Sequence, residues 1–123
     1  KQFMKQVFNW GVARVNLGKI DSRMLELVHF LPALACFVSI ITILFALING
    51  WSFSEILFLF LSPLLILSLL GSFSKSDPRI FPFLLLVIPI QFIGYGIGFS
   101  QAFIKRFILN KPEMIGFKKN YYK

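Results

Sequence analysis

The chain has 123 residues, 57% of them hydrophobic and 15% charged, with a mean hydropathy of +0.77. A soluble domain of this size would carry far more charge on its surface. The net charge of +8, from 13 Lys/Arg against 5 Asp/Glu, would raise nucleic acid as a partner in a soluble protein. Here the basic residues flank apolar runs and no nucleic-acid-binding motif occurs, so anionic lipid head groups are the expected partner. Cys36 is the only cysteine, which excludes an intrachain disulfide and a Cys-based metal site. No Asp, Glu, Lys or Arg occurs between Glu26 and Glu55, between Glu55 and Lys75, or between Arg79 and Lys105. Each of these windows is long enough for a helix to cross roughly 30 Å of hydrocarbon. The expected fold is an all-α membrane protein, with an N-terminal amphipathic interfacial helix followed by three transmembrane helices. Residues 1–22 form the amphipathic part, 23–109 the transmembrane region and 110–123 a basic tail. The sequence opens at Lys1 without an initiator Met, and its first apolar run lacks signal-peptide features. This suggests a C-terminal piece of a longer protein.

In residues 1–19, Phe3, Met4, Val7, Phe8, Gly11, Val12 and Val15 recur at helical spacing and share one face. Lys5, Gln6, Asn9, Ala13 and Asn16 fall opposite, and Trp10 lands on the border. Such a helix is expected to lie in the head-group plane. Gly18 and "KIDSR" end it, with Asp21 or Ser22 able to cap the next helix. The first spanning helix is expected over about 25–49, ending at the turn signal "NGW". The second is expected over about 54–72, kinked at Pro63, and the third over about 80–104.

Topology divides the simple rules. With three crossings, the N-terminal flank and the 72–79 linker put seven Lys/Arg on one side, and the tail puts six on the other. A re-entrant third run would place all 13 together, which the positive-inside rule prefers. Three crossings with a cytoplasmic N-terminus, in an inner (cytoplasmic) membrane, are the favoured arrangement because the third run is long enough to span.

Chemistry-bearing sets are sparse. No P-loop, nucleophile elbow or Cys/His cluster occurs. His29 reads as an interfacial anchor or a functional contact, and Gln91 as an interhelical hydrogen-bonding group. The alternating glycines of "GYGIGF", Gly94, Gly96 and Gly98, read as close helix packing.

"QVFNW", Gln6 to Trp10, resembles the Q-x-x-R-W motif of membrane-bound family 2 glycosyltransferases of the exopolysaccharide type, with Asn9 in the place of the family's Arg. "WGVAR" (Trp10–Arg14), "VHFLPAL" (Val28–Leu34) and "YGIGF" (Tyr95–Phe99), followed by Lys105 and Arg106, extend the likeness over about residues 2–109. The resemblance implies the C-terminal membrane region of an inverting, GT-A-type transferase that moves sugar from a sugar nucleotide to a lipid-linked or polysaccharide acceptor. It implies Gln6, Trp10 and Arg14 as acceptor-binding residues: Trp10 would stack on a sugar face, Gln6 hydrogen-bond a hydroxyl and Arg14 pair with a phosphate. No cofactor is expected in this chain; a divalent metal, Mg or Mn, is implied for a catalytic domain outside it. The chain itself would then not be the enzyme. The alternative is a non-enzymatic small integral membrane subunit held in a larger complex through its helices and the glycine-rich run. A transporter fragment would need more intramembrane polar residues.

Overall fold

A computed structural model describes residues 1–116, so the part of the expected basic tail beyond Gly116 lies outside the described residues. Four α-helices succeed one another along the chain, α1 (Gln2–Ile20), α2 (Leu31–Ile48), α3 (Phe53–Ser74) and α4 (Phe81–Phe103). No strand occurs among the described residues. Three segments are long and apolar enough to cross a membrane: Leu27–Ile48, Phe53–Ser74 and Pro78–Ile108. The fold is an all-α membrane protein.

Local chemistry sets the ends of these elements. After α1, the Asp21 carboxylate accepts the Arg23 N–H at 3.0 Å and opens a 3-10 turn over Ser22–Met24. A second 3-10 turn, Leu27–Phe30, precedes α2. The first span, Leu27–Ile48, thus opens with a 3-10 turn, and its α-helix starts at Leu31 because Pro32 lacks an N–H and suits only a helix's first turn. Gly50, at φ +71°, closes α2, and the Trp51 N–H reaches back to the Ala46 carbonyl at 2.9 Å. Ser52 and Glu55 then form a reciprocal capping box at the start of α3. α3 continues through Pro63 without interruption. It ends in a turn where the Ser72 hydroxyl donates to the Asp77 carbonyl at 2.9 Å and Asp77 caps Arg79 at 2.9 Å. α4 is likewise unbroken through Pro89 and passes into one π-helical turn, Ile104–Ile108.

The described chain forms two compact units. In the one made of residues 37–90, Gly71 lies beside Leu84, and Ala46, Ser68 and Ser72 are buried. The other comprises residues 1–36 with those from Gln91 onward. Its core is Val12, Val15, Phe99 and Ala102, flanked by Phe8, Leu25, Phe30, Tyr95, Phe103 and Phe107. The apolar face of α1 is the one its spacing predicts, with Val7, Gly11, Val12 and Val15 all buried. What covers that face is α4. α1 runs alongside the C-terminal part of α4 in the same direction, since Met4 and Val7 meet Gly94, Phe8 meets Gly98, and Lys19 reaches Phe107 and Asn110.

Candidate functional site

The contact between α1 and α4 is made through backbone, and that closeness sets the position of everything else on α1. A Cβ on Gly98 would collide with the Phe8 carbonyl oxygen, and one on Gly11 would lie 2.7 Å from the Phe99 nitrogen. Gly94 and Gly98 both face α1, whereas Gly96 faces the other way, against the Pro32 carbonyl and the Cys36 sulfur. Ala102, fully buried, extends the first row. On α4 the residues at 94, 98 and 102 form a small-residue stripe at four-residue spacing, the pattern that lets apolar helices approach closely.

With one face of α1 occupied in this way, Gln6, Trp10 and Arg14 are left along one edge. Four-residue steps put each about 6 Å beyond the last along the axis. Gln6 is exposed and Trp10 is 49% exposed, high for an indole on a helix whose neighbours at Val7, Gly11 and Val12 are buried. Arg14 is half-buried. Its Nη1 donates to the Met24 carbonyl at 3.5 Å, and its charge lies within reach of the Tyr95 hydroxyl. That hydroxyl is buried and meets no hydrogen-bond partner among the described residues. The edge thus offers an open aromatic face, an exposed amide one turn before it, and a guanidinium steadied one turn after it.

The part of α1 next to this edge is different. Asn9, Asn16, Leu17 and Ile20 line an open groove of about 640 Å³ with Glu113 and Met114. Asn16 departs from its expected place on the polar face. It is 6% exposed, and its amide donates to the Met114 carbonyl at 2.9 Å, leaving Oδ1 buried with no partner among the described residues. The reason is non-local, because the segment after the π-helical turn folds back over this side of α1. Asn9 lies here beside Gly116.

His29 and Gln91 take different places. The Nδ1 of His29 accepts the Glu26 N–H at 3.0 Å, a local cap at the entrance to α2. Gln91 is exposed and makes no hydrogen bond among the described residues, so the expected interhelical bond is not formed. At the end of α4, Lys19 sits 4.7 Å over the Phe107 ring and Arg106 donates to the Lys111 carbonyl at 3.4 Å. No grouping of three His, Cys, Asp or Glu suited to a metal ion occurs among the described residues.

The chain matches no protein-family model, no curated protein and no solved structure. Its chemistry is therefore argued from these residues alone. Asn16, Tyr95 and Ala102 were not singled out by sequence reasoning. The four-residue recurrence 94, 98, 102 carried a signal for Ala102, while no local pattern marked Asn16 or Tyr95, whose settings depend on residues far away in sequence.

Proposed function

We propose that this chain is the membrane region of a family 2 glycosyltransferase, holding a lipid-linked or polysaccharide acceptor along the Gln6–Trp10–Arg14 edge of α1. In this reading the protein sits in the inner membrane with α1 at its cytoplasmic surface, against anionic head groups. The observation that carries it is the exposure of Trp10 on a helix otherwise clamped to α4. A large aromatic ring left open on a rigid element, with an amide and a cation on the same edge, suits a sugar's C–H face, its hydroxyls and a linking phosphate. The catalytic domain, with its divalent metal, belongs outside these residues.

A small-subunit role is the second reading. It placed partner binding on the helices and the glycine-rich run, and of these Gly94, Gly96 and Gly98 are buried against α1 and the start of α2 of this same chain. That surface is already occupied, which favours the first reading.

Trp10→Ala in the full-length protein tests it. Losing the stacking face costs on the order of 1 kcal/mol, and a misplaced acceptor lowers turnover further. Transfer per folded molecule should fall about tenfold for Ala and be partly restored by Trp10→Phe, with insertion unchanged. Equal specific activity for wild type and Trp10→Ala would remove the acceptor role. The residues encoded before Lys1 provide a separate check, since the reading requires a D-x-D among them.

A further inference from the structure

We infer, independently of the glycosyltransferase reading, that a phosphate-bearing lipid head group binds where α1 and α4 end together, held by Lys19, Arg106 and Lys111. Because α1 runs alongside the second half of α4 in the same direction, the two C-termini lie side by side. Each leaves its last carbonyls without a helical partner and carries roughly half a negative charge. Lys19 stands in the last turn of α1, and Lys105 and Arg106 in the π-helical turn that ends α4. Asn110, at φ +46°, then turns the chain so that the Lys111 N–H reaches the Lys105 carbonyl at 2.8 Å. Arg106 donates to the Lys111 carbonyl, and Lys19 donates to the Asn110 side chain at 3.4 Å. Segments 91 residues apart in sequence thus bring three cations to one turn.

Helix C-termini attract cations, and capping would account for this cluster if the side chains met those carbonyls. They do not. Lys19 donates to a neutral side-chain amide and sits 4.7 Å over the Phe107 ring. Arg106 makes one long bond, at 3.4 Å, to a carbonyl beyond the end of the π-helical turn. Its Nε is buried and meets no acceptor among the described residues, so most of its five donors are unused. The ammonium-bearing side chains of Lys19 and Lys111 are exposed. The carboxylates of this unit are placed elsewhere. Asp21 accepts the Arg23 N–H, Glu26 belongs to the cap before α2, and Glu113 lines the groove beside Asn16. Three positive charges held together on neutral oxygens repel one another, and an anion between them relieves that repulsion. Phosphate, with several acceptor oxygens, matches a guanidinium fork flanked by two ammonium groups.

The setting selects a lipid over a free phosphate. Lys105 and Arg106 are the first charges after the uncharged window that opens past Arg79, so the cluster lies where α4 leaves the hydrocarbon, at the depth of head-group phosphates. Ile20, next to Lys19, and Ile108 and Leu109, between Arg106 and Lys111, are exposed. Acyl chains of a bound lipid cover such residues, a contribution that an inorganic anion lacks. Lys19 is also set in place beforehand. Tyr95, Phe99, Phe103 and Phe107 stack in successive turns of α4, with centroids 5.9, 6.0 and 4.9 Å apart, and the last ring carries the Lys19 ammonium. A cation fixed on a ring in this way loses little freedom when it takes a phosphate.

The test is lipid retention by the full chain in a neutral detergent, read by native mass spectrometry with phosphatidylglycerol and phosphatidylcholine offered at equal concentration. Wild type should retain phosphatidylglycerol in preference. Lys111→Gln, a change at an exposed side chain, should lower that preference about fivefold, the factor for about 1 kcal/mol per basic residue at a lipid surface. Lys19→Gln with Arg106→Gln should lower it about twentyfold. Lys19→Arg with Arg106→Lys should keep most of it, which separates lost charge from lost structure. Lys75→Gln with Arg79→Gln removes the same charge elsewhere in the chain and should leave the preference unchanged. Equal losses for the two double Gln variants would mean that net charge alone attracts the lipid, and would overturn the site. An unchanged preference in Lys111→Gln would overturn it as well, even if the Lys19 and Arg106 variants fail to fold. Inorganic phosphate at the lipid's concentration should displace no phosphatidylglycerol; displacement would mark a free-phosphate site and overturn the lipid assignment.

Discussion

Gly98→Ala is the most direct probe of how α1 is held. The added methyl would collide with the Phe8 carbonyl oxygen and lie 3.0 Å from the Phe8 carbonyl carbon and 3.1 Å from its Cα. All three are backbone atoms, which cannot rotate aside, so α1 must move outward by about 1 Å to restore ordinary contact. Overpacking of this kind costs roughly 1–3 kcal/mol, and a rigid neighbour puts the cost at the upper end. Replacing Gly by Ala inside a helix returns about 1 kcal/mol of propensity, leaving a net loss of about 2 kcal/mol. Gly71→Ala has the same propensity gain, but its methyl meets only the Leu84 Cδ1 at 2.8 Å, the free end of a flexible side chain. That variant should be neutral or slightly stabilised. Helicity monitored through a denaturing-detergent titration would measure both. Because outward movement of α1 also relieves the collision at Gly11, the double variant Gly11→Ala with Gly98→Ala should lose less than the sum of the singles. Gly98→Ala as stable as Gly71→Ala would refute the backbone contact between α1 and α4.

Two of the side-chain hydrogen bonds carry further predictions. Asn16→Asp should cost more than Asn16→Ala, because Asp loses the donor to the Met114 carbonyl and buries a carboxylate beside it. Asn16→Ala should cost about 1 kcal/mol, and amide exchange across 112–116 would read both changes; equal effects would count against the bond. Ser52→Ala removes the α3 cap and should cost about 1 kcal/mol, seen as faster exchange over the first turn of α3 and not elsewhere.

Much of the fold could be read from charge-free windows and helical spacing. The third helix was expected over about 80–104, and the α-helix within the Pro78–Ile108 span covers Phe81–Phe103; the apolar face of α1 holds the residues its periodicity assigned. Both depend on local repetition, which a sequence carries in full. The first span was expected over about 25–49 and runs Leu27–Ile48, but nothing in its hydrophobicity marked that it opens as a 3-10 turn before the α-helix from Leu31. The glycines were read as one packing set. The helical phase divides them, since 94 and 98 share an azimuth while 96 lies on a different side of α4, toward α2. Asn16 was read onto the polar face and is instead buried. Its burial comes from a segment almost a hundred residues later, and nothing nearby in sequence records that contact.

The same distinction explains why counting apolar runs left the topology divided. Length and composition decide whether a helix is able to cross, and α2, α3 and α4 all qualify. Whether it does cross depends on which ends meet, and that is a property of pairs. Phe30 against Phe99 and Cys36 against Phe92 are two such pairs, and they set the start of α2 antiparallel to the C-terminal half of α4, which no single run records. The alignment of α1 with α4 adds the rest. It brings Lys19 beside Asn110, so the helix carrying Trp10 ends where the chain leaves α4. If the acceptor reading holds, the edge that carries Trp10 is fixed to the half of α4 nearest Lys105 and Arg106. A sugar-nucleotide-dependent domain would, in that reading, have to reach the acceptor from that end of α4.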